Sequence, residues 1–234
     1  YSAGLYRAFP NTMTLQDQTI LYLDPFINYF TNKDFKHSLR SRYFYTKNSL
    51  TDSTNNESNV AYSEYQLTKQ LNPWLHITGG LIMNQTYSNS GIAYNGILPE
   101  NHLQNFAGYA QTDMKLWKIL NLSLGSRYES FIMNDEKAIS KPIFRSGFNL
   151  KLSEGTFLRG SYGQGYRFPT ITEKYIHSDI GGLAIYPNPG LLPESSWNAE
   201  IGVKQGFSLK KFIGYVEAAF FWQEYKNTIE FTFG

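Results

Sequence analysis

The 234-residue sequence contains no cysteine. That excludes a disulfide scaffold, a thiolate metal site and a cysteine nucleophile, and leaves the redox compartment undecided. Charge is scarce too: Asp, Glu, Lys and Arg make up 17% of residues, and the formal net charge is +2. So small an excess is no nucleic-acid footprint, and no nucleic-acid partner is expected. Long apolar runs are missing. Residues 212–222 are interrupted by Glu217, and the run falls short of the roughly 20 residues a membrane-crossing helix needs. Catalytic and metal-binding patterns are also lacking. His37, His76 and His102 are scattered, with no His-x3-His pair or carboxylate cluster at metal spacing. Asp52, Asn55, Asn56 and Glu57 lack the order of a calcium loop. Ser161, between Gly160 and Tyr162, is no nucleophile elbow. No enzymatic activity and no cofactor are expected.

What is plentiful is aromatic residues, 17% of the chain, with 18 Tyr, 17 Phe and 4 Trp. Disordered chains are poor in aromatics and rich in charge, so this chain folds. It is either soluble or enters a membrane as a β-barrel. It opens at Tyr1 with no basic-then-apolar leader and stops at Phe231-Thr232-Phe233-Gly234, within what reads as strand. It is read as an internal piece of a longer protein, residues 1–234 being part of one domain.

The dominant hydrophobic period is two. Leu120, Leu122, Leu124, Tyr128 and Ile132 alternate with Asn121, Ser123, Gly125, Arg127 and Glu129. The same alternation runs through residues 106–116, 144–152 and 197–204, and more weakly through 60–71 and around Pro25. Between these runs the connections alternate in length. Five are tight: 31–34, 72–73, 117–119, 153–155 and 208–211. Four are longer: 48–59, 88–102, 134–141 and 168–194. Short turns at one end and long loops at the other describe an antiparallel meander of the outer-membrane type. Pairing the runs gives about ten strands.

Strand length separates a membrane barrel from a soluble sandwich. Soluble strands run about 5–6 residues, whereas these runs reach about 11–14. A dozen residues tilted near 45° rise about 28 Å, close to the thickness of a bilayer core. Aromatics such as Tyr43, Trp74, Trp117, Tyr128, Trp197 and Trp222 fall toward run ends, as interfacial girdles do. The rival reading is cross-strand aromatic packing in a soluble sheet. The opposite parity carries Arg40, Arg42, Asp113, Arg127, Glu129, Arg145, Arg159, Glu200, Lys204 and Glu217. So many charges cannot enter a dry core and must face water or a polar filling. The fold class is therefore all-β: an antiparallel up-and-down transmembrane β-barrel segment. Leu122, Leu124, Phe148, Leu150, Ile201 and Val203 should face lipid. Arg127, Glu129, Arg145, Asn149, Glu200 and Lys204 should face the lumen.

Several segments carry a resemblance. Tyr109-Ala110-Gln111-Thr112-Asp113 followed by LNLSLGSRYE at 120–129, LRGSYGQGYRFP at 158–169 and NPGLLPE at 188–194 leading into Glu200-Ile201-Gly202 occur in order. In these the chain resembles TonB-dependent outer-membrane transporters, from about Pro25 onward. Gly181-Gly182-Leu183 and Pro187-Asn188-Pro189 resemble a Bacteroidetes-type subgroup. The resemblance implies a barrel of about 22 strands in the outer membrane of a Gram-negative bacterium. It also implies a plug domain of the same chain, an N-terminal segment that engages TonB, surrounding lipid and a small solute. The implied function is energy-coupled uptake of a scarce solute: a siderophore, haem, cofactor or oligomeric nutrient. The rivals are a passive or structural barrel without a plug and an outer-membrane hydrolase.

The 168–194 connection is the longest and concentrates candidate ligand groups. Arg167, Tyr175, His177 and Tyr186 are the candidate substrate-binding residues. Tyr and His present a ring with a polar tip, and Arg167 presents a two-pronged donor face for carboxylates. Arg167 could instead pair with Glu173 or the plug and only shape the loop. Pro187-Asn188-Pro189 reads as a rigid corner where the chain re-enters a strand. Gly160, Gly163 and Gly165 read as bulges or close approach to a plug, not as a phosphate cradle. Haem transporters in the family carry a histidine between two boxes. Here Tyr166-Arg167-Phe168-Pro169 and Asn188-Pro189-Gly190-Leu191 bracket His177, departing from the haem form at Phe168 and Gly190. His177 is thus either an axial haem ligand or a solvated loop residue.

Overall fold

Proline and turns of two to four residues punctuate one long meander. The computed structural model describes residues 15–50, 55–90, 100–134, 136, 138–180 and 183–230. Asp52, Gly181 and Gly182 lie outside the described residues. Strands β1 (Gln16–Leu23), β2 (Phe26–Phe30), β3 (Phe35–Leu50), β4 (Asn56–Asn72) and β5 (Leu75–Ser90) come first. Strands β6 (Glu100–Leu116), β7 (Leu120–Met133), β8 (Ile139–Lys151) and β9 (Thr156–Arg167) follow. A short helix α1 (Ile171–Tyr175) and a small hairpin, β10 (Ser178–Ile180) with β11 (Leu183–Ile185), precede β12 (Glu194–Leu209) and β13 (Phe212–Lys226).

Among the described residues eleven strands form one antiparallel sheet, and β10 with β11 forms a second of two strands. Each long strand from β3 to β9 pairs with its sequence neighbours, β9 pairs with β12, and β12 with β13. The sheet is open, with β1 and β2 at one edge and β13 at the other. Both β1 and β2 pair with β3. They are one span broken at Asp24-Pro25, where proline cannot donate to the ladder while its carbonyl still accepts from the Ser41 N–H at 2.9 Å. Ten spans thus appear as eleven strands.

The faint alternation at 60–71 becomes continuous pairing of β4 with β5, with one register shift between Gln70 and Asn72. The connections expected at 48–59 and 88–102 are shorter than the pattern suggests. Strand β3 continues to Leu50, β5 to Ser90, and β6 begins at Glu100. Polar Asn and Ser residues blur the apolar alternation there, yet the backbone ladder continues through them.

The registers sort side chains as the alternation requires. Leu122 lies opposite Phe148, and Ile201 opposite Gly160 and Phe220. On the other face, Asn121 lies opposite Asn149 and Lys204 opposite Glu217. Among the described residues no layer covers the apolar face: Leu81 is 66% exposed, Leu124 44% and Ile201 52%. An apolar face this wide facing outward is the surface of a membrane barrel. The long strands have 12–17 residues, enough at about 3.3 Å each and 45° tilt to cross about 28 Å or more.

Two local features brace the wall. Gly80 leaves room for the Tyr109 ring, whose Cζ would lie 2.6 Å from a Cβ placed there. The ring therefore crosses β5 on the lumen face. Its hydroxyl donates to Glu64 at 2.7 Å and accepts from Gln66 Nε2 at 2.9 Å, both on β4. At the β6–β7 turn, Trp117 and Lys118 both take positive φ, 50° and 60°, the twist that a tight hairpin requires.

Candidate functional site

Apolar burial is concentrated at the long-loop end of the sheet. Phe131, Met133, Phe168, Ile171 and Tyr175 form a buried cluster, flanked by Leu103 and Tyr166. Phe168 stacks on Phe131 with centroids 4.1 Å apart and planes 6° apart, and meets Tyr166 edge-on at 4.7 Å. Phe168, Ile171 and Tyr175 thus fold the start of the 168–194 connection onto side chains of β6 and β7.

Helix α1 is started by a capping box. Thr170 Oγ1 accepts from the Glu173 N–H at 3.2 Å, and Glu173 accepts from the Thr170 N–H at 2.7 Å. Glu173 also accepts two hydrogen bonds from Arg167 Nη1, at 2.9 and 2.8 Å. Arg167 Nε donates to Glu194 at 2.7 Å, across the β9–β12 register that sets these two residues opposite each other. The other Glu194 oxygen accepts from the Ile229 N–H at 2.7 Å. Arg167 therefore binds the helix start, the end of β9 and the start of β12 together.

A second polar tie runs to the β7–β8 connection. The Lys174 ammonium, 6% exposed, donates to both Glu136 oxygens, at 2.8 and 2.6 Å. The Tyr175 hydroxyl donates to Glu136 at 2.9 Å. Asn134, in left-handed conformation at φ 51°, exchanges backbone and side-chain hydrogen bonds with His102 and donates to Asn101 at 3.0 Å. The return of the loop is held by the Asn188 N–H, which donates to the Lys174 carbonyl at 2.8 Å.

Charge settles these contacts. Hydrogen bonds from Arg167, then from the Ile229 backbone, hold the Glu194 carboxyl down to about 2. Burial disfavours the charged form of Glu173 and Glu136. The Arg167 and Thr170 hydrogen bonds overcome it at Glu173, and those of Lys174 and Tyr175 at Glu136, so both stay below the usual carboxylate range. Burial, then Glu136, push the Tyr175 hydroxyl up.

The four expected residues divide into two pairs. Tyr175 is 7% exposed and spent on the loop core. Arg167 is engaged by two carboxylates, Glu173 and Glu194. His177 and Tyr186 flank the β10–β11 hairpin, and their rings meet edge-on at 5.6 Å. Tyr186 is 69% exposed. Glu136 and Lys174 pair across 38 residues, a distance over which sequence spacing carries no sign of a partner. The capping box has a local signal, Thr170-Ile171-Thr172-Glu173, that the reading of 168–194 as a loop left unused.

Below this rim the lumen face is a polar wall. Arg127 donates to Glu129 at 2.8 Å and Asn105 to the same carboxylate at 2.6 Å. Arg159 pairs with Glu200 at 3.1 Å and Glu217 at 2.5 Å. Among the described residues, Asn84 Oδ1, Asn105 Oδ1 and Arg127 Nε are buried with no hydrogen-bond partner. Near the tight turns lies an open cavity of about 670 Å³, lined by His76, Asp113, Asn149, Arg159 and Glu200 among others. Among the described residues no group of three His, Asp or Glu side chains could hold a metal ion.

Comparison with known proteins places this geometry. Residues 1–234 match the family described as TonB dependent receptor-like, beta-barrel. No curated protein matches the sequence. Among solved structures, the siderophore receptor PirA from Pseudomonas aeruginosa is 16% identical with a TM-score of 0.71, over 91% of this chain and 40% of that one. A double mutant of the Serratia marcescens hemophore receptor HasR, in complex with its hemophore HasA and heme, is 16% identical with a TM-score of 0.67, over 93% and 41%. The ferric-catecholate import receptor Fiu from E. coli K12 is 12% identical with a TM-score of 0.63, over 91% and 41%. At such identities the likeness concerns the fold, and the chain spans about two fifths of each of these proteins.

Proposed function

The chain belongs to the TonB-dependent receptor β-barrel family, and from that membership we propose that it serves energy-coupled uptake of a scarce solute. It is an outer-membrane barrel segment of a Gram-negative bacterium, in a family of receptors and not of enzymes. The proposed work is capture of the solute by the outer loops, passage through the lumen past a plug, and release driven by TonB. The observation that carries this reading is the lumen wall. It carries partly exposed charges, with Arg159 beside Glu200 and Glu217 and Arg127 beside Glu129, which suit a polar filling such as a plug and would be prohibitive in a dry core.

The solved relatives are named for a siderophore, a hemophore with heme and a ferric catecholate. The solute proposed here is of that class: ring-bearing or flat, with anionic groups. His177 and Tyr186 would grip it from the loop, while Tyr175 and Arg167 hold the loop in place. The experiment is uptake by cells carrying the complete receptor, with and without TonB, against a panel of ferric siderophores and haem. TonB-dependent uptake of one of them supports the proposal. Uptake that persists without TonB would favour a passive barrel. Unchanged haem-dependent growth with His177→Ala would remove the axial-ligand role of that histidine.

A further inference from the structure

The outward face carries a feature that neither solute capture nor lumen packing uses. On β4, β5 and β6 an open groove of about 510 Å³ runs over Gly79 and Gly108. Its walls are Tyr65, Leu67, Ile77 and Leu81, all of the outward parity. The two glycines are not demanded by the fold. A Cβ at Gly79 would meet only the Tyr109 carbonyl, at 3.5 Å, and one at Gly108 only Leu81 Cδ2, at 3.5 Å. Neither is in the left-handed region. Glycine inside a strand weakens it and often marks close approach of another molecule. Here the missing side chains leave a trough on the lipid-facing surface.

At the turn end of this trough sits a cation. Lys69 lies opposite Phe35 on β3 and Ile77 on β5, so it points outward with the apolar residues. Among the described residues its ammonium rests over the Phe35 ring, 4.0 Å from the centroid, and not against a carboxylate. Lys69 lies four positions before Pro73 of the Pro73-Trp74 turn, about 9 Å along a tilted strand. A lysine there reaches the headgroup level of the nearer leaflet with its stem along apolar surface. The upper wall is fixed by a hydrogen bond between Tyr65 and His37 Nδ1, at 2.7 Å.

We propose that this trough holds one glycerophospholipid of the periplasmic leaflet, its phosphate on Lys69 and one acyl chain over Gly79 and Gly108. Charge complementarity selects the occupant: a cation at the headgroup end of an apolar channel matches an anionic phosphate joined to a hydrocarbon chain. The short turns place this end on the periplasmic side, where phospholipid and not lipopolysaccharide forms the leaflet.

The test is native mass spectrometry of the complete receptor, released from detergent after incubation with phosphatidylglycerol. The expected result is one phospholipid retained above the exchangeable background. Lys69→Gln should weaken its retention about tenfold, the scale of one charge-assisted contact. Filling the trough with Gly79→Leu should abolish retention, whereas Lys211→Gln, at the β12–β13 turn, should leave it unchanged. If Gly79→Leu fails to assemble, Gly108→Leu and Lys69→Gln carry the test. Equal retention by wild type, Lys69→Gln and the filled variants would overturn the proposal. So would selective retention of lipopolysaccharide.

Discussion

Lys174 and Glu136 meet across 38 residues of sequence, the ammonium donating to both carboxylate oxygens at 2.8 and 2.6 Å. The pair welds helix α1 to the neighbouring β7–β8 connection. The ammonium is buried while the carboxylate is partly open to solvent.

That asymmetry predicts unequal effects of substitution. Glu136→Gln strands a buried ammonium and should cost the loop about 2–3 kcal/mol. Replacing both residues, as Lys174→Met with Glu136→Gln, should cost less than Glu136→Gln alone. Hydrogen exchange of residues 171–177 checks this. Equal loosening by the single and double variants would refute a charge-based tie.

Acid should loosen the same loop from the carboxylate side. Glu136, Glu173 and Glu194 all have folded values below the unfolded glutamate value of about 4.3. Their contribution is complete above that value and is lost as pH falls through the folded ones, about 2 for Glu194. Protease susceptibility of the 168–194 connection should therefore be flat above about pH 5 and rise between about pH 4 and pH 2.

The stacked pair at the loop core gives a third expectation. Phe168→Ala should remove the contact with Phe131 at a cost of about 3 kcal/mol. The loss should stay local, because the sheet below is held by its own ladder. Proteolysis of the loop should accelerate while the heat-modified mobility of the barrel stays unchanged.

Sheet register can be read chemically. With single cysteines, Leu124→Cys should react with a lipid-restricted probe and Arg127→Cys with a water-soluble one. The reverse pattern would mean a one-residue slip, which flips every side chain to the other face.

Much of the wall was legible in the alternation, because Leu122, Leu124, Ile201 and Val203 alternate with charged or polar neighbours and lipid rewards that pattern. Turn chemistry located the tight connections. The break at Pro25 and the polar strand ends near Leu50 and Ser90 were blurred, because backbone pairing there proceeds without apolar support. The loop was legible as a place but not as a structure. Its ties are long-range: Lys174 to Glu136, Phe168 to Phe131, Arg167 to Glu194. Sequence spacing carries no trace of such partners until strand order is known. The Thr170–Glu173 capping box is different: its signal is local, but the reading of the segment as a loop left it unused.

The Tyr109 ring lying across Gly80 has a mechanical consequence. Sliding one strand along its neighbour must break the bonds of the ladder between them together, and only a two-residue step keeps the apolar face outward. A side chain anchored two strands away, on Glu64 and Gln66, opposes that sliding as a key opposes rotation of a shaft. Any pull on the contents of the lumen is returned on the wall as an equal reaction force. At Tyr109 part of that load passes from β6 to β4 through a side chain, in parallel with the backbone bonds that β5 makes to both.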